Sequence, residues 1–178
     1  PPLRSSAASD VYKRQYYTGL REILEENKYQ PLVGITDYSL VKEESIISKF
    51  LGYKPEGIIL VGTKHTKKTK EILLRSNLPL IETWDINHRP LDLIVGFSNY
   101  EAGYNITDYA IKKKYKKILF VTSSDKNMKV EVRGRKRLEG YVDRMTKKNY
   151  KHSNFQISDP LDYKKSGEEI FNYYKKNR

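Results

Sequence analysis

The sequence predicts an α/β fold built on parallel sheets, and three observations carry that prediction. Short apolar runs of strand length alternate with segments of helical period along nearly the whole chain, the pattern of βα units. The stretch from Asp92 to Asp125 shows it most plainly, as an apolar run, a capped amphipathic segment and a second apolar run. It reads as strand, helix, strand in one βαβ unit, which implies parallel pairing. The apolar runs also end abruptly on polar or aromatic tips, where open parallel sheets hold their ligands.

Residues 1–15, PPLRSSAASDVYKRQ, have neither period nor core, and Asp10 to Gln15 resembles a translated sequencing adapter. They are read as a non-native or disordered leader, with the native chain expected to begin near Tyr16. From Tyr16 to Asn27, Tyr17, Leu20, Ile23 and Leu24 recur at helical spacing. Leu32, Val33 and Ile35 predict a strand ending at Thr36-Asp37-Tyr38-Ser39. Ser39 can cap a helix carried by Val41, Ile46, Ile47, Phe50 and Leu51, with Gly52 as its stop. Gly57 to Val61 predicts a strand, Ile72 to Leu74 a helix ending near Asn77, and Leu78 to Ile81 a short strand running into Glu82-Thr83-Trp84-Asp85.

Leu93, Ile94, Val95 and Phe97 form a nearly unbroken apolar run, as expected of a strand buried on both faces. Ser98 with Glu101 three residues on is a capping-box pattern, opening a helix through Ala102, Ile106, Tyr109 and Ala110. The lysines from Lys112 to Lys117 crowd its far end, where the helix dipole favours cations. Ile118 to Val121 predicts a second buried strand. A helix from about Arg133 to Lys148, a strand at Phe155 to Ile157 and a helix from Tyr163 to Tyr174 complete the chain.

The 178 residues leave room for one ordinary domain or two small lobes. No apolar run approaches the roughly 20 residues that cross a bilayer, so no membrane partner is expected. The absence of cysteine excludes disulfides and thiolate metal sites. A net charge of +12 raises the question of nucleic-acid binding. Lysine outweighs arginine, though, and the abundance of Lys, Asn, Ile and Tyr is what AT-rich coding sequence yields. The lysines read as scattered over several helix ends without an aromatic and arginine platform, so the bland reading of the charge is preferred.

A site belongs at the strand tips Thr36-Asp37-Tyr38, Gly62-Thr63-Lys64-His65, Thr83-Trp84-Asp85 and Ser123-Ser124-Asp125. An aromatic ring beside carboxylates and hydroxyls suits a polyol, which needs stacking for its CH face and hydrogen bonds for its rim. Arg133 and Arg137, four apart in RGRKRLEGY, share a helix face near an N-terminus, where two guanidinium forks suit an anion such as a carboxylate. A solvated basic face explains them as well. Trp84 can equally be a packing residue, and Asp37, Asp85 and Asp125 can equally cap turns. His65 has no spaced partner for a metal. VGTKHTKK lacks the ending of a phosphate loop and no serine sits in a nucleophile elbow, so neither enzyme activity nor a cofactor is expected.

The segments KPEGIILVGTKHT, NLPLIETWD, LDLIVGFSNYEAG, KKYKKILFVTSS and RLEGY, in this order and spacing, resemble the effector-binding domain of LacI/GalR-family transcriptional repressors, in particular the gluconate-operon repressors. The resemblance covers roughly Tyr16 to Arg178. It implies a periplasmic-binding-protein-like type I fold of two parallel-sheet, Rossmann-like lobes, here both incomplete. The first lobe is expected over 16–97 without its first strand, and the second, truncated, over 98–178, with Ser98 and Asn99 at the crossover. Both the strand ending at Thr36 and that ending at Val61 would then show a bare edge, unless Val11 and Tyr12 fill the gap.

The resemblance further implies a sugar or sugar-acid effector such as gluconate and a cytoplasmic homodimer. It also implies operator DNA, bound through an N-terminal domain absent from this chain. Arg137 matches the family's effector-binding arginine, and Trp84, Asp85 and Thr63 match positions lining the cleft; Asp37, His65, Asp125 and Arg133 join them as candidates. A periplasmic sugar-binding protein shares the architecture and stays open as an alternative. An enzyme acting on a sugar phosphate lacks a catalytic constellation.

Overall fold

Local signals set most elements where the periodicity places them. A computed structural model describes residues 7–37, 39–123, 132–159 and 162–177. Helix α1 (Ala7–Glu26) runs unbroken from well before the start predicted at Tyr16. Helix α2 (Leu40–Leu51) is capped by Ser39, whose side chain accepts from the Lys42 N–H. Strand β1 (Ile58–Val61) leads to α3 (Lys67–Arg75), capped by Thr66. Strands β2 (Leu80–Thr83) and β3 (Leu93–Val95) follow. Helix α4 (Asn99–Lys112) begins as predicted, the Ser98 hydroxyl accepting from the Glu101 N–H at 3.1 Å. Strand β4 (Leu119–Ser123), α5 (Val132–Lys147), β5 (Ser153–Ile157) and α6 (Tyr163–Lys176) complete the order.

The strands form two parallel sheets, β1-β2-β3 and β4-β5. In the first, Ile58, Leu60 and Leu80 share a face and bury against Ile47 of α2 and Leu73 of α3. In the second, the register pairs Phe120 with Asn154 and Val121 with Phe155, so the two phenylalanines face opposite ways. Phe120 meets Tyr141 of α5 at 5.3 Å between ring centroids, and Phe155 meets Tyr173 of α6 at 4.6 Å. Helices thus flank the second sheet on both sides.

Four expectations are corrected. The stretch from Asp92 to Asp125 is not a βαβ unit of one sheet, because β3 and β4 belong to different sheets and α4 carries the chain between them. Its partner is α5: Gly103 lies on the Arg137 backbone and Gly140 on the backbones of Tyr100 and Tyr104, with no room for a Cβ at either position. Leu32, Val33 and Ile35 form no strand, and none of them pairs with a strand among the described residues. They stay exposed over α2, where Gly34 abuts Ile46 and Phe50. Val11 and Tyr12 lie within α1 and supply no strand to the β1 edge. Strand β3 is not buried on both faces, for Leu93 and Val95 are 57% and 65% exposed on the side opposite α2 and α3.

The α4–α5 contact has its own electrostatics. Asp108 accepts from Arg144 Nε at 2.8 Å and is bridged by Lys112 Nζ at 2.8 Å. Lys112 first and Arg144 second hold the carboxyl below its ordinary value of 3.8. A carboxyl depressed on folding stabilises the fold above its unfolded value and loses that contribution as pH falls through the folded one. Melting curves of Asp108→Asn should therefore show a lower Tm at neutral pH and a shallower decline below pH 3.8 than the parent.

Candidate functional site

The end of β2 organises the site. Trp84 sits at φ 71°, a left-handed conformation strained for a bulky residue. Its N–H still donates to the Val95 carbonyl at 3.3 Å, extending the ladder, while its own carbonyl is turned to accept from Asn99 Nδ2 at 3.1 Å. Gly96 presses so closely on the Asp85 backbone that no side chain could stand there. Tyr16 of α1 places its ring edge on Trp84 at 5.2 Å between centroids, and its hydroxyl donates to Thr83 Oγ1 at 3.4 Å.

Asp85 is buried and anchors a polar clamp. Its carboxylate accepts from Asn99 Nδ2 at 3.2 Å and from Lys136 Nζ at 2.8 Å. Lys136 also donates to the Ile86 carbonyl at 3.3 Å. Arg137 Nη1 donates to Asn99 Oδ1 at 2.5 Å. Asn99, itself fully buried, therefore joins Arg137 of α5 to Asp85 and Trp84 of the first sheet. A buried carboxylate satisfied in this way fixes the spacing between the β2 end and α5.

Beside the clamp lies a hollow of about 410 Å³, lined by Thr63, Lys64, Asn87, His88, Val132 and Lys136 among others. Small-molecule sites typically hold roughly 300–1,000 Å³. Lys64, Lys70 and Lys136 line it with no carboxylate among the lining residues, Lys136 being bridged to Asp85 just outside it.

Of the residues singled out by sequence, Thr63 and His65 line the hollow, and Trp84, Asp85 and Arg137 join in the adjoining clamp. The side chain of His65 has no exposed surface. Its Nδ1 meets Glu43 Oε1 at 2.8 Å, and Nε2 stands 3.4 Å from Glu82 Oε1 without hydrogen-bond alignment. The ring thus ties α2 and β2 together. Asp37 is exposed and bridges Lys42 at 2.7 Å, away from the lining. Arg133 is half-buried in the first turn of α5 and is not a lining residue. Asp125 lies outside the described residues. Among those described, no cluster of His, Asp and Glu could hold a metal.

Sequence reasoning missed Lys136, Asn87, His88 and the clamping role of Asn99. Lys136 was within reach of the helical pattern, three residues after Arg133 and hence on the same face. Asn87 and His88 lie in a loop with no periodicity to mark them.

No protein-family model matches the chain. The HTH-type transcriptional regulator IdnR of Escherichia coli K12 is 31% identical over 128 residues, 71% of this chain and 37% of the relative. A LacI-family transcriptional regulator from Silicibacter pomeroyi superposes with a TM-score of 0.71 at 31% identity, covering 78% of this chain and 41% of that one. A Lactobacillus casei LacI family regulator solved with bound glucose superposes with a TM-score of 0.70 at 14% identity, over 86% of this chain and 58% of that one, a likeness of fold. The chain thus spans well under two thirds of each of these proteins. No described helix is long and apolar enough to cross a membrane.

Proposed function

In sequence and fold the chain is a LacI/GalR-family effector-binding domain resembling the gluconate repressors, and from that premise we propose that it senses a small sugar or sugar acid, such as gluconate, in the hollow beside the Asp85 clamp. The observation that carries this reading is the origin of the lining. Thr63, Asn87 and His88 come from loops of the first sheet, and Val132 and Lys136 from the helix of the second. A ligand held by both has an affinity that depends on their separation, so its binding shifts the balance between closed and open lobes. The lobes are taken as 16–97 and 98–178. Closure is coupled to operator DNA through an N-terminal DNA-reading domain outside this chain, in a cytoplasmic homodimer that is not an enzyme. The relatives named as transcriptional regulators favour this over a transport protein.

Calorimetry with gluconate and with neutral sugars tests the reading, and heat from none of them would remove the effector role. Arg137→Ala is expected to weaken effector binding by about 10- to 100-fold, since a charge-assisted bond contributes roughly 1.5–3 kcal/mol. Trp84→Phe should weaken it less, because the ring and the strained carbonyl that Asn99 holds both persist. Unchanged affinity in the arginine variant would take Arg137 out of the site.

A further inference from the structure

Read along the sequence, the lysines are scattered over several helix ends; the fold gathers three of those ends at one pole. Helices α4 and α5 run parallel, with Gly103 on Arg137 near their starts and Asp108 on Arg144 near their ends. Strands β4 and β5 are parallel and start side by side, the Tyr141 hydroxyl bonding the backbone of both Ile118 and Ser153. Helix α6 runs back along β5, its Tyr173 on Phe155 and its Glu169 on Ser158. The last turns of all three helices therefore lie at the end of the sheet where the two strands begin, α4 and α5 on one face and α6 on the other.

That pole is almost wholly cationic. Every residue from Lys112 to Lys117 except Tyr115 is lysine, Lys147 ends α5 with Lys148 and Lys151 just beyond it, and Lys175 and Lys176 end α6. These lysines are all exposed, and no Asp or Glu occurs within 112–118, 147–152 or 174–177. Among the described residues the only carboxylate bridged to any of them is Asp108, on Lys112, and it is shared with Arg144. Most of the net charge of +12 thus sits on one surface. The helix dipole accounts for a cation or two in each last turn. It does not account for the run continuing through the loop to Lys117, nor for three such ends at one end of the sheet with Asp108 as the one bridged carboxylate among the described residues.

We propose that this pole is a sequence-independent binding face for the phosphate backbone of nucleic acid, separate from the effector hollow. The exposed cations are all lysine, which neutralises phosphates as a point charge and carries no paired fork for reading bases. Tyr115, 60% exposed, stands among these lysines and offers an aromatic face to unpaired bases. An acidic protein surface would meet the charge but make no use of the ring.

The test is fluorescence anisotropy of the full chain with a labelled oligonucleotide of about 20 nucleotides, single- and double-stranded, at several salt concentrations. With about four phosphates neutralised, affinity should fall about 100-fold between roughly 50 and 200 mM salt. Lys116→Glu/Lys148→Glu/Lys176→Glu, one change from each helix end, should lose more than about tenfold in affinity at fixed salt. The charge-matched Lys28→Glu/Lys49→Glu/Lys54→Glu in the first lobe should stay within about threefold, with circular dichroism showing both variants folded. Equal losses in the two variants, absence of binding at low salt, or stronger binding to phosphatidylserine vesicles than to oligonucleotide would each overturn the proposal.

Discussion

Gly140→Ala should lower the stability of this chain more than any exposed substitution, by about 2–3 kcal/mol, the upper part of the range for forcing a methyl group into a filled contact. The added Cβ would land on the Tyr100 carbonyl and against the Tyr104 N–H, backbone atoms that cannot swing aside as a side chain can. Relief requires α4 and α5 to separate, and separation pulls Arg137 from Asn99. Gly103→Ala meets the Arg137 backbone from the other helix and should behave alike. For a chain of this size the loss corresponds to a fall in Tm of about 5–10 °C, read by thermal unfolding. Gly167→Ala in α6 is the control. A Cβ there meets nothing within 4 Å, so the helix preference for alanine should stabilise by about 0.5–1 kcal/mol. Equal behaviour of the two variants would mean that α4 and α5 do not touch at their glycines.

Breaking the Asp85 clamp is expected to have the second large effect. Asp85→Ala leaves Lys136 Nζ and Asn99 Nδ2 without their shared acceptor and opens a buried polar gap. A fully buried pair broken from one side loses about 3–5 kcal/mol, but Lys136 keeps 30% of its side chain in solvent, so about 2–3 kcal/mol is expected here. Asp85→Asn retains an acceptor for Asn99 and should lose about half as much. Urea unfolding of Asp85→Asn, Lys136→Met and the double variant would isolate the pair, and coupling of about 1 kcal/mol or more is expected. Strict additivity would show that the two side chains do not meet. The same variants bear on the proposed effector hollow, since Lys136 belongs to both the clamp and its lining.

The caps at Ser39 and Ser98 were legible because a cap is a local device: a side-chain oxygen and an N–H three residues on are joined whatever lies around them. The tips of β1 and β2 were legible for a similar reason, being polar residues that end apolar runs, and Thr63 and His65 of the first do line the hollow. The face of α5 was legible only in part. A spacing of four singled out Arg133 and Arg137, while only the position of buried Asp85 showed that Lys136 bridges sheet and helix. His65 looked like a ligand residue at a strand end, and only its position between Glu43 and Glu82 showed its ring committed to the interior.

By itself the sequence determined the helices and most strands, the parallel character of the sheets and the family. These follow from periodicity, caps and ordered motifs, all carried by neighbours in the chain. Tertiary structure alone decided that Leu93 and Val95 of β3 stay exposed, that Leu32 to Ile35 stay unpaired, that Asn99 couples Arg137 to Asp85, and that three lysine-rich helix ends lie at one pole. The reason is common to all four. Each depends on what lies beside a residue rather than before or after it. For α4 and α5 that neighbourhood is set by glycines in backbone contact, which no local pattern records.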